Sequence, residues 1–224
     1  MSTTRAPSKS SFRTYARARV LAAIVALELV LSACAESTDD EPRASAPGSG
    51  NDANVPLPTR QTDAHGRPLP FRTEHPQRWS DLNNGTDYEP CTALTMAEIH
   101  ALDVDPDSVR DAAIANHQTA RGCIWRLRNS AGGGLVQALG NDLPLQQYKA
   151  KRAVVVDWQP DIVINGRTVA VGHGLGDTEC HTEVQSGTAI ITTTVSIPTD
   201  TPPIDEICAR AIAFTRATIV HMPV

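Results

Sequence analysis

The chain has 224 residues, enough for one ordinary domain with appendages, and only 4% of them are aromatic, so its core must rest on Val, Ile, Leu and Ala. Of its 20 basic and 25 acidic residues, five and one precede Cys34, which leaves 15 and 24, a net of −9, for the remainder. That balance excludes nucleic acid as a partner, because phosphate contacts need clustered Lys and Arg; charge of this size serves solubility.

The first 19 residues are hydrophilic and carry Arg5, Lys9, Arg13, Arg17 and Arg19. Val20 to Leu31 is then an apolar run broken by Glu28. It is shorter than the ~20 apolar residues a membrane span needs. It fits instead the basic n-region and short h-region of an export signal. The run ends in Leu31-Ser32-Ala33-Cys34, which resembles the bacterial lipobox: a branched residue, two small ones, then the cysteine that takes diacylglycerol. Residues 1–33 are therefore expected to be a lipoprotein signal peptide, removed so that lipidated Cys34 becomes the N-terminus. No twin-Arg pair precedes the run, which points to the general secretory route. Palmitate-class acyl chains on Cys34 would make the membrane the first partner, since two or more chains anchor stably where one does not. The expected location is the extracytoplasmic face of the cell membrane.

Residues 34–77 hold Ser, Asp, Pro, Gly and Thr with few large apolar side chains. Such a stretch buries too little surface to offset its ordering entropy, so it reads as a disordered tether. The folded domain is expected over 78–224. Four cysteines lie in it, Cys91, Cys123, Cys180 and Cys208, and an even number in an exported chain reads as a disulfide framework. Three connectivities are possible; joining sequence neighbours, Cys91–Cys123 and Cys180–Cys208, is favoured, each closing a loop worth about 3–4 kcal/mol. A four-cysteine zinc site would want C-x2-C spacing, which does not occur.

Thr95-Met96-Ala97-Glu98 is a capping box that opens a short helix. Pro106 suits the first turn of a second helix reaching about Asn116. Cys123 to Leu127 alternates, with Cys123, Trp125 and Leu127 on one strand face. The Gly132-Gly133-Gly134 turn leads to a strand over Leu135–Leu139, and a helix is expected from Leu145 to Arg152. Asn165-Gly166 is a hairpin signal between Ile162–Ile164 and Thr168–Val171. Ser186-Gly187 similarly joins Cys180–Val184 to the run Ala189–Ile197. After Pro202-Pro203, the residues Ile204, Ile207, Cys208, Ala211, Thr215, Thr218 and Ile219 form one stripe of a final helix. The elements give an α+β domain: an antiparallel sheet with flanking helices, the C-terminal helix packed on the sheet.

The sequence Glu89-Pro90-Cys91-Thr92-Ala93-Leu94-Thr95, then Gly122-Cys123-Ile124-Trp125, with Cys180 in a strand and Ile207-Cys208-Ala209-Arg210-Ala211 in the last helix, resembles the actinobacterial lipoprotein family called domain of unknown function 3558. The resemblance covers roughly 87–223. It implies a cell-envelope lipoprotein and brings no catalytic residues with it.

No constellation points to chemistry. Asp103-x-Asp105-x-Asp107 starts like a calcium loop, but Ser108 and Ile114 occupy the positions that need Gly and Glu, so the run reads as an acidic turn. His173 and His181 bracket a Gly-rich stretch that reads as a mobile loop between strands; His100 and His117 read as surface residues, and His65 and His75 fall in the tether. No phosphate loop and no Gly-x-Ser-x-Gly elbow occurs. Catalytic residues, metal ligands and cofactors are accordingly expected to be absent, and the protein is read as no enzyme. Trp125 is the one weak ligand-binding candidate; its first expectation is core packing. The leading reading is a binding or accessory module acting on an envelope protein partner. The alternative is a carrier of a small apolar or lipidic ligand in a cavity between sheet and last helix.

Overall fold

Asn165 and Gly166 both take left-handed backbone angles, φ 50° and 76°, and close the hairpin between β5 (Ile162–Ile164) and β6 (Arg167–Gly174). Local signals of this kind recur through the computed structural model, which describes residues 58–224 apart from residue 175. Thr95 and Glu98 form a reciprocal capping box on α1 (Met96–Ala101). β1 (Val104–Asp111), β2 (Arg121–Leu127) and β3 (Gly134–Asn141) then run antiparallel. After α2 (Leu145–Arg152) come the short β4 (Val156–Trp158), the β5–β6 hairpin, β7 (Glu179–Ser186) and β8 (Ala189–Ser196). The chain closes with α3 (Ile204–Thr218), begun by Pro203 and carrying Asp205 and Glu206 in its first turn, where the helix dipole favours acids. Among the described residues no helix is long and apolar enough to cross a membrane.

The sheet has eight strands in the order β1-β2-β3-β8-β7-β6-β4, with β5 on β6, every pairing antiparallel. α3 lies across β7, β8 and β6. The fold is the expected α+β class. Trp125 and Phe214 meet at 5.5 Å between ring centroids and anchor a core that also holds Leu135, Val195, Ile207 and Ala211. The four cysteines pair as Cys91–Cys123 and Cys180–Cys208. The second bond ties α3 to β7.

Three expectations need correction. The segment opened by Pro106 is the edge strand β1, not a helix. A residue before proline is disfavoured in the helical region, and an edge strand tolerates the missing N–H. The register jumps between Asp105 and Arg110, so the intervening residues bulge out; Ser108 Oγ accepts there from Arg126 N at 2.8 Å. Secondly, residues 58–77 fall on the domain rather than in a tether: Leu69 joins the core, and Thr62 bridges to Pro68. What draws them in is polar: Asp63 accepts from Thr92 and Arg67, and Gln61 bonds both ways with Thr73. Thirdly, His173 sits in β6 and His181 in β7, so neither belongs to a loop.

Arg78 completes the N-terminal attachment. It is withdrawn from solvent, forks onto Glu89 at 2.8 and 3.0 Å, and reaches Asp111 at 2.9 Å. Arg121 on β2 meets the same Glu89 carboxylate at 2.7 Å. Two buried cations thus share one buried acid, with Asp111 at the edge.

Candidate site on the open face of the sheet

Because side chains alternate along a strand, each strand divides its residues between two faces. The face toward α3 is closed. Cys180, Thr182 and Val184 of β7, Ile191, Thr193 and Val195 of β8, and Leu135, Gln137 and Leu139 of β3 are all buried there. Between the apolar groups runs a polar chain. Tyr88 donates to Gln137 Oε1 at 2.6 Å, Gln137 donates to Thr193 and Thr218 at 2.8 and 3.0 Å, and Thr215 links Thr193 to Thr182. These bonds fix the rotation of α3 on the sheet and fill the space a carrier cavity would need. The hollow beside Trp125 measures about 240 Å³, between Leu94, Ile99 and Val109. That is below the ~300–1,000 Å³ of ordinary ligand pockets. Trp125 is 1% exposed and packs as core, although its Nε1 has no hydrogen-bond partner among the described residues.

The opposite face is only half covered. α2 lays Leu145 and Tyr148 over Ile190 and Ala170. Trp158 of β4 joins them by donating its Nε1 to Lys149 O at 3.0 Å and resting on Gly172, where a Cβ would come within 2.8 Å of its ring. Beyond α2, the outward residues Ile124, Val136 and Ala138 stay half-buried, with no helix among the described residues laid over them. They floor a hollow of about 600 Å³ walled by the 112–120 loop. A second hollow of about 260 Å³ continues it to Tyr148, Arg152, Ile190 and Thr192, and the two share Thr119, Ala120 and Ala138. Together they make one trough. Its wall passes so close to Gly140 that a Cβ there would sit 2.4 Å from Thr119 O.

The α2 end of the trough is its chemically unusual part. Glu183 projects there from β7 and is completely buried. The Thr192 hydroxyl lies 2.5 Å from its Oε2 and the Tyr148 hydroxyl 3.3 Å from its Oε1. Among the described residues no cation forms an ion pair with it. Burial pushes its carboxyl up to about 8, against the hydrogen bond from Thr192 and the field of Arg152, which pull it down. Burial therefore favours the neutral form of Glu183, and the Thr192 and Tyr148 hydroxyls are its side-chain partners among the described residues. Burial and the neighbouring carboxyl push Tyr148 up to about 12. His181, one pleat along the same face, is driven down to about 4 by burial and by the fields of Arg152 and His173. Its ring stands edge-on to Trp158, and its Nε2 has no partner among the described residues. Arg152 lies 5.5 Å over the Tyr148 ring, and its buried Nε is likewise unpartnered among the described residues.

Another hollow, of about 640 Å³, lies at the other end of α2 beside Pro144, Gln185 and Arg167. The Arg167 guanidinium donates to the carbonyls of Met222, at 2.8 Å, and Gln185, so NH1 and NH2 are occupied by the backbone.

Of the site residues expected from sequence, the four domain cysteines form the expected disulfides and Trp125 lies away from the trough. Cys34 and the signal peptide lie outside the described residues. Tyr148, Arg152, Glu183 and Thr192 carried no motif. The one signal for them was the alternation that sets His181 and Glu183 on a single face, which by itself reads as a solvated face.

Residues 29–221 match the model of the family described as "Protein of unknown function (DUF3558)". No curated protein and no solved structure matches the chain.

Proposed function

The chain belongs to the family of proteins of unknown function DUF3558, and on that premise we propose that it is a lipid-anchored, non-enzymatic binding module of the cell envelope, which receives a partner protein on the open face of its sheet. The observation that carries this reading is the trough: Ile124, Val136 and Ala138 lie half-buried with no helix among the described residues over them, and Arg152, whose Nε has no partner among those residues, stands at one end. Apolar surface left open beside polar groups that lack partners is what a docking face offers before its partner arrives. The filled contact between sheet and α3 speaks against the carrier alternative. The anchor rests on the Leu31–Cys34 motif and on a family match that begins at residue 29, ahead of Cys34.

Photo-crosslinking in the native envelope tests the reading. A photoreactive residue in place of Val136 should capture one envelope protein in stoichiometric yield, and the same residue at Val163, exposed on β5, should not. Capture of the same set of proteins from both positions contradicts the proposal. In parallel, Cys34→Ala should release the chain from the membrane or leave it unprocessed.

A further inference from the structure

We infer that residues 77–83 clamp the docking face: they hold the 112–120 loop in the shape that walls the trough, so docking depends on a segment outside the trough's lining. The inference rests on the docking face proposed above and names what keeps it in shape.

The loop joins β1 to β2 with neither helix nor strand of its own, and Ala113 is its one fully buried residue. Two side chains brace its first turn: Ala113 N donates to Asp111 Oδ1 at 3.1 Å and Ile114 N to Gln118 Oε1 at 3.0 Å. A segment that buries so little apolar area opens locally at small cost unless something outside it holds it. His117 adds strain. Its φ of 55° lies in the left-handed region, which a residue with a Cβ keeps only where its surroundings fix it.

The surroundings that fix it are residues 77–83. Gln77 O accepts from His117 N at 3.1 Å, and Gln77 N donates to Asn116 Oδ1 at 2.8 Å. One residue further, the Gln118 carbonyl accepts from Ser80 Oγ at 3.2 Å and from Asn83 Nδ2 at 2.9 Å. Both flanks of the loop are gripped as well. Arg78 Nε donates to Asp111 Oδ1 at 2.9 Å, and Arg121 Nε donates to Asn83 O at 3.3 Å. The clamp is braced within itself, because Asn83 Nδ2 also donates to Arg78 O and Asn83 Oδ1 accepts from Ser80 N. Arg78 and Asn83 are both withdrawn from solvent. Asn116, His117 and Gln118 line the trough, whereas Gln77, Ser80 and Asn83 do not. Asn83 therefore acts on the docking face through Gln118, as a positioning residue.

The test uses the full lipidated chain in nanodiscs for amide hydrogen exchange, and the chain with a photoreactive residue at Val136 in its native envelope for capture. Asn83→Ala removes the donor to Gln118 and the brace to Arg78. Amides of 112–120 should then exchange about tenfold faster, the increment of one or two neutral hydrogen bonds, while those of β7 and β8 keep their wild-type rates. A loop that opens more often is competent for docking less often, so capture through Val136 should fall in the same variant. Ser80→Ala removes one hydroxyl donor at a half-buried position and should speed the same amides about threefold, a milder change that guards against a general loss of fold. Wild-type exchange over 112–120 in both variants overturns the inference, and so does undiminished capture by a chain whose loop has loosened. A rise spread equally over the loop, β7 and β8 in both variants overturns it too, since that is loss of the fold and not of a clamp. Absence of capture through Val136 in the otherwise unaltered chain is the separate result that removes the docking face itself, and the inference with it.

Discussion

The hydroxyl of Tyr148 lies 3.3 Å from Oε1 of a completely buried Glu183, and the two meet where α2 crosses β7. A helix residue that lines the trough and a buried strand residue thereby share a polar contact. The protonation of that one carboxyl links the stability of the domain to pH.

The stability consequence has a definite sign. Glu183 titrates at about 8 in the fold against 4.5 for an ordinary Glu, so between these values the folded chain holds a proton that the unfolded chain has released. Its contribution is complete at low pH and is lost as pH rises through 8. His181, lowered from 6.5 to about 4, acts in the opposite sense, because there the unfolded chain binds the extra proton. The two offset each other between about 4.5 and 6.5. Above 6.5 only Glu183 remains, and stability should fall by about 2 kcal/mol up to pH 8. Denaturant unfolding from pH 5 to 9.5 measures this, and Glu183→Gln should flatten the upper limb. A variant with the wild-type profile would show that Glu183 is not the titrating group.

Glu89 is the shared partner of Arg78 and Arg121, and all three are buried. Glu89→Ala leaves Arg121 buried without an acid and Arg78 with Asp111 alone, and should cost roughly 3–5 kcal/mol. Arg78→Met should cost less, since it removes one charge and leaves Arg121 paired. Equal losses in the two variants would refute the shared-acid account.

The Cys180–Cys208 bond closes a 28-residue separation and holds α3 against the sheet. Replacing both cysteines by Ser should lower stability by about 3–4 kcal/mol. Peptide mapping without reductant should recover this pair and Cys91–Cys123; any crossed pair contradicts the fold.

Much of this architecture was legible because its signals are local. Asn165-Gly166, the Thr95–Glu98 box and the stripe from Ile204 to Ile219 each act within a few residues, and each formed as expected except that Ile219 falls in a 3-10 turn just past the helix. The stripe nevertheless omitted Phe214, whose place against Trp125 depends on a strand some 90 residues earlier in the chain. Pro106 misled because the same fixed φ suits a helix start and an edge strand, and only the pairing of β1 with β2 decides between them. Residues 58–77 looked too polar to fold, since their attachment comes from Asp63, Gln61 and Arg78 rather than from apolar area. Glu183 could not be seen as buried: one acid alternating with Cys180, Thr182 and Val184 reads as the wet face of a strand until α2 is known to cover it.

Gly140 lets the 112–120 loop close the trough wall, and Gly140→Ala would place a methyl 2.4 Å from Thr119 O. The loop must shift, at about 1–3 kcal/mol, and capture of a partner through Val136 should fall with it. Undiminished capture would show that the wall does not shape the docking face.

The most direct test of the account is native mass spectrometry of the lipidated protein after gentle extraction from its own envelope, comparing wild type with Val136→Glu and Val163→Glu. The account predicts a stoichiometric protein companion on the wild type and on Val163→Glu that is missing from Val136→Glu. A companion retained by Val136→Glu, or a small lipid adduct in its place, would contradict the claim that the open face of the sheet receives a protein.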